Sequence, residues 1–180
     1  MYKKLKHYFK KKYYLTIYSN IEENEENYQG YIVDINSDFV CLYIIEDWHN
    51  DGYVILPIKY ITSVRCKKHE KVFHKVLKLE GVTTKVFKPD WLNIHNYNSI
   101  FKTLQKNKNN IIIESRIPSI DEFVIGKIVK IKKRKVYLKA FDATGQWLCG
   151  LYKVPYDEIS LIKFDDEYSS VFRKYIDNKL

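Results

Sequence analysis

The stretch whose residue types best suit acid–base or metal chemistry is Asp47-Trp48-His49-Asn50-Asp51. Two carboxylates around an imidazole can hold a divalent cation or share a proton with a substrate. The corresponding stretch in the second half, from Asp142 to Trp147, keeps an Asp and a Trp but contains no His. That chemistry is therefore not repeated. The remaining histidines, His7, His69, His74 and His95, stand in no ligand spacing beside a carboxylate. His69 and His74 lie about 140° apart around a helix, too far to share one ion. The chain has no nucleophile elbow and no glycine-rich phosphate loop. The expectation is no catalytic residue, no metal and no cofactor, with a polar turn carrying a covering tryptophan.

Binding needs less. Trp48 with His49, and Trp147 with Asp142, offer aromatic anchors beside charge, the composition of a protein interface. Lys132-Lys133-Arg134-Lys135 and Lys10-Lys11-Lys12, the latter followed by Tyr13-Tyr14, offer cations beside aromatics, as single-strand binders do. Acidic stretches would repel phosphate: Glu22-Glu23 with Glu25-Glu26, then Glu46, Asp47 and Asp51, then Asp165-Asp166-Glu167. They favour a protein partner, of an inhibitor or toxin-immunity kind, with RNA or another single strand as the alternative. The formal charge of +9 is compatible with both, and a Lys-, Asn-, Ile- and Tyr-rich usage matches an AT-rich genome. No apolar run approaches the roughly 18 residues of a spanning helix, so no membrane is expected. Three scattered cysteines, Cys41, Cys66 and Cys149, suit a reducing cytoplasm rather than a disulfide framework.

An internal repeat must position these residues. Residues 15–42 align without a gap on residues 111–138, matching Ile17/Ile113, Ser19/Ser115, Ile21/Ile117, Gly30/Gly126, Ile32/Ile128, Val40/Val136 and Leu42/Leu138. Each copy opens with an amphipathic helix, Leu5 and Tyr8 answering Phe101 and Leu104, and either Asp90 or Asn98 could cap the second one. Short β-type runs follow, with Gly30 and Gly126 suited to a bend or bulge, and with Pro57 and Pro155 late in the pattern. Polar turns, 36–38 and 132–134, join the second and third strands. A closing helix carries Val72-Phe73 or Val171-Phe172. The expected fold is mainly β with accessory helices: a first unit over 1–79, a packed linker over 80–97 lying between the units, and a second unit over 98–180. Val40, Leu42, Val136 and Leu138 are predicted core. Five short bent antiparallel strands per unit predict a small closed barrel.

The lead-in helix, GYIVDINSDFVCL and LPIKYITSV resemble an Sm-like barrel, as in bacterial RNA chaperones, or more broadly an SH3-like one, over 1–66 and again over 97–164. The resemblance implies a tandem duplication of that barrel. In those chaperones a Lys-His pair before the fifth strand contributes to uridine binding. Here these positions read Ile58-Lys59 and Tyr156-Asp157, so the resemblance does not carry that pocket. GYIVDINSDFVCL, DWHNDGYVILPIKYITSVR, DEFVIGKIVKI, FDATGQW and YKVPYDEISLI together make the whole chain similar to a widespread bacterial family of hypothetical proteins, which implies a bacterial cytoplasmic setting.

Overall fold

The computed structural model describes residues 1–21, 24–115 and 123–177. Glu22 and Glu23 of the first acidic stretch, and Ile117 of the repeat, lie outside them. Among the described residues the chain is mainly β, antiparallel throughout its hydrogen-bonded strand pairs, with four helices, and it divides into two compact units, Met1–Asp90 and Trp91–Leu180.

In the first unit α1 (Tyr2–Lys11) precedes β1 (Tyr14–Ile21), β2 (Asn24–Ile35), β3 (Phe39–Glu46) and β4 (His49–Pro57). A 3-10 turn at Ile58–Tyr60 leads into β5 (Ile61–Arg65), and α2 (Lys68–Leu79) follows. Strand order is β5-β1-β2-β3-β4. Pro57 ends β4 instead of bending a strand from within, as expected for a residue without an amide donor.

In the second unit α3 (Tyr97–Lys106) precedes β6 (Asn110–Ser115), β7 (Phe123–Ile131), β8 (Lys135–Ala140), β9 (Tyr152–Pro155) and β10 (Ile159–Phe164), and α4 (Glu167–Asp177) closes it. The order β10-β6-β7-β8-β9 again places the fifth strand beside the first. The cap of α3 is Asn96, whose Oδ1 accepts from Ser99 N at 2.9 Å; neither Asp90 nor Asn98 has that role.

A closed barrel was the expectation, and the pairing corrects it. Among the described residues no ladder joins the fourth strand of a unit to its own fifth, so the sheet is open. Register irregularities, of the kind that bend a strand, fall at matching positions. The β2–β3 register shifts between Ile32 and Asp34, and the β7–β8 register between Ile128 and Lys130, so Val33 and Val129 are the extra residues. Gly30 and Gly126 are not the bulges. They permit close approach: a Cβ at Gly30 would lie 2.0 Å from the Tyr43 carbonyl oxygen, and one at Gly126 2.1 Å from that of Lys139.

Polar contacts repeat as well. Ser19 Oγ donates to Tyr60 O at 3.2 Å, and Ser115 Oγ to Glu158 O at 3.5 Å. Thr62 Oγ1 donates to Tyr18 O at 3.2 Å, and Ser160 Oγ to Glu114 O at 2.9 Å. These pairs pin the fifth strand to the first at its bulge in both units. Val40, Leu42, Val136 and Leu138 are fully buried.

One element has no counterpart among the described residues of the second unit. After α2, a short 3-10 segment (Val82–Lys85) continues to Lys88 and lies against the first unit. Tyr53 Oη donates to Phe87 O at 3.2 Å, and Lys88 Nζ meets Asp34 at 2.7 Å. We call residues 82–88 the strap.

Candidate functional site

The stretch 47–51 is not a loop. Glu46 pairs with His49, so β3 and β4 form a tight hairpin whose turn is Asp47-Trp48, with φ of 41° and 70°. Two successive left-handed residues make the turn type that normally carries Asn-Gly. A large L-residue there costs roughly 1–2 kcal/mol. The Glu46–His49 pairing holds Trp48 at the hairpin tip against that cost, 45 % exposed. Its ring stacks on Phe73 of α2 at 4.6 Å and 18°, and Phe73 stacks in turn on Tyr14 at 4.9 Å. Beside it opens a cleft of about 770 Å³ lined by Tyr43, Trp48, His49, Asn50, Val76, Glu80, Val82 and Lys85. His49 and Asp47 share the tip but form no metal cluster; among the described residues no three of His, Cys, Asp and Glu come together to hold an ion.

The second-unit residues expected to act alike do not sit alike. Trp147 is not at a hairpin tip but in the irregular segment between β8 and β9, bridged to Phe141. It is partly buried against Ile112, Ile125, Phe141 and Ile176. Its ring meets Phe141 edge-on at 5.7 Å, and Lys127 Nζ lies over it at 5.1 Å. Asp142 organises its own turn: Oδ1 accepts from Thr144 N at 2.8 Å, from Thr144 Oγ1 at 2.7 Å and from Gln146 N at 3.1 Å. Both residues are occupied locally, so the expected equivalence of Trp48 and Trp147 is corrected.

The basic residues fare differently. Lys10 and Lys11 end α1 and Lys12 caps it in a left-handed conformation, φ 51°. Lysines in a last helical turn suit the helix dipole, but here they also enter a cleft of about 750 Å³. β2 contributes Tyr31, Ile32 and Val33, α2 contributes His74 and Lys78, and the strap contributes Thr83, Val86, Phe87 and Lys88. Five lysines thus meet around one apolar floor. Phe87 stands 60 % exposed among them. The Tyr31 hydroxyl and His74 Nδ1 share a hydrogen bond of 2.7 Å. Burial, and after it Lys78, holds the His74 pKa below its usual value, while burial and Tyr14 raise that of Tyr31.

Lys132–Lys135 form the β7–β8 turn, closed by Lys132 N donating to Lys135 O at 2.9 Å. With Tyr137 they border a shallow open surface. Tyr156 Oη donates to Lys132 O at 2.9 Å and holds the turn from below.

Sequence reasoning found Lys10–Lys12 but missed Lys78, Lys88, His74 and Phe87. The signal was available: Lys85-Val86-Phe87-Lys88 places an aromatic between cations in a segment too apolar to be a tether. At its N-terminal end α2 is anchored by Glu70, whose fully buried carboxylate accepts from Arg65 Nε at 2.6 Å, Lys67 N at 2.7 Å and Thr16 Oγ1 at 3.0 Å. Burial pushes the Glu70 carboxyl up, but Arg65 and the amide and hydroxyl donors outweigh it and hold the pKa at about 2. No helix is long and apolar enough to cross a membrane among the described residues. No protein-family model, curated protein or solved structure matches the chain.

Proposed function

We propose that the protein is a non-catalytic macromolecule-binding protein whose basic cleft takes single-stranded nucleic acid. The observation that carries this reading is the meeting of Lys10, Lys11, Lys12, Lys78 and Lys88 around an exposed Phe87. A flexible phosphate backbone needs a cationic groove, and an unpaired base needs an aromatic face. Both stand within one cleft of the first unit. Among the described residues no member of the acidic stretches lines it, and the nearby Asp34 is paired with Lys88. The Lys132–Lys135 turn with Tyr137 supplies a second, shallower cationic surface of the same chemistry.

We infer further that each unit is a curled sheet of the Sm-like or SH3-like barrel type, and that the two are tandem copies. The shared strand order and the repeated bulges and Ser/Thr contacts support this. A bacterial cytoplasmic setting fits three free cysteines, one of them exposed.

The test is a salt-dependent titration of a labelled single-stranded RNA of about 12 nucleotides. Replacing Lys10, Lys11, Lys12 and Lys78 with Gln keeps good helix formers at the three helical positions, Lys10, Lys11 and Lys78. Affinity should fall more than about tenfold, and the slope of log affinity against log salt should flatten by about 2–3, at roughly 0.7 for each phosphate no longer neutralised. Replacing Lys132, Lys133, Arg134 and Lys135 with Ser should have a smaller effect in the same direction. A four-lysine variant with wild-type affinity and slope would overturn the assignment.

A further inference from the structure

The cleft beside Trp48 is chemically unlike the basic one. Phe73 covers one ring face of Trp48, and 45 % of the residue remains open to solvent. An indole face attracts cations through its quadrupole, and guanidinium more than most. Glu80, the residue that caps α2, stands on the cleft wall, and Glu46 and Asp47 are exposed beside the tryptophan at the hairpin tip. Val76 and Val82 supply apolar wall between them. Phosphate is opposed here, while a cationic head with an aliphatic stem finds both a matching charge and a matching wall.

We infer that this cleft is a docking site for an arginine-bearing segment of a partner protein, with a guanidinium over Trp48 and toward Glu80 and its stem along Val76 and Val82. Lys85, a cation on the same lining, opposes such a guest and limits its affinity. The backbone agrees with a presenting role, because a tryptophan at φ 70° occupies a turn position that glycine would fill without strain.

The probe is an acetylated Arg-Leu-Arg amide, titrated into the isotope-labelled full chain and followed by NMR. Saturable shifts are expected at the Trp48 indole, His49, Val76 and Val82. Trp48→Gly keeps the turn geometry while deleting the ring, so folding is retained, and binding should weaken about tenfold. Glu80→Gln should weaken it about threefold, and Lys85→Ala should strengthen it by a similar factor. A Glu-Leu-Glu control that shifts the same residues would overturn the inference. So would unchanged binding by Trp48→Gly, or shifts confined to Lys10–Lys12 and Phe87. Single-stranded RNA that shifts Trp48 as its main site would assign the cleft to bases and overturn it too. Because the RNA titration reads the basic cleft, either reading can fail while the other stands.

Discussion

β3 of the first unit and β8 of the second occupy the same place in the repeat, yet they are buried differently. From Phe39 to Ile45 every residue of β3 is buried, on both faces. In β8 burial alternates, with Val136, Leu138 and Ala140 inside and Lys135, Tyr137 and Lys139 half-exposed. The inward faces are the same, and the outward faces differ. Cys41 is fully buried where Tyr137 is partly open. The strap explains part of the difference: it lies across the first unit through Tyr53–Phe87 and Lys88–Asp34, and no described segment does so in the second. The same strap walls both clefts, giving Phe87 and Lys88 to one and Val82 and Lys85 to the other. A repeated template supplied the scaffold, and an unrepeated segment made the concavities.

The equivalence of the two units is most vulnerable at the glycines. Gly30→Ala and Gly126→Ala each drive a methyl into a backbone carbonyl that cannot move aside. Each should cost about 4 kcal/mol or more, among the largest single-residue effects. Chemical denaturation of both variants checks this, and tolerance of one alone would show that the two ladders are not equivalent.

Next come the two faces of β3 and β8. Leu42→Ala and Leu138→Ala, both at fully buried inward positions, should each cost about 2–5 kcal/mol. Cys41→Ser buries a hydroxyl and should cost about 1–3 kcal/mol, whereas Tyr137→Ser should cost about half a kcal/mol or less. Equal losses at Cys41 and Tyr137 would remove the distinction between a covered and an open outer face.

A further contrast, made in the first unit, turns on pH. Glu70 has its folded pKa depressed to about 2 from the ordinary 4.5, so its contribution is present above 4.5 and is lost as pH falls toward 2. Thermal melts of wild type against Glu70→Gln should differ at neutral pH and converge across that acid range. A gap that persists at pH 2 would mean that the carboxylate charge is not what anchors α2.

Much of the fold was legible because it depends on local pattern. The ungapped repeat, the described strands and helices and the inward Val-Leu pairs all follow from periodicity and matched spacing. Closure into a barrel did not follow, because whether the fourth and fifth strands meet depends on twist accumulated over the whole sheet and not on any one residue. The hairpin at Asp47-Trp48 was hidden for another reason: its turn needs two left-handed residues, and neither Asp nor Trp advertises that conformation as Asn-Gly does.

The functional residues divide in the same way. The order of residues is enough to establish that lysines and aromatics are present, that Lys10–Lys12 form a cluster, and that no established catalytic motif occurs. Which of them cooperate depends on long-range packing. Trp48 and Trp147 look alike in sequence, but one is held out by a strained turn and the other is drawn into Phe141 and Ile176. Lys78 and Phe87 join Lys10–Lys12 because α2 and the strap fold back over β2, a meeting of residues more than sixty positions apart in the chain. Local periodicity writes the elements; the burial of their apolar faces, which acts between distant segments, sets where charge and aromatic surface come together.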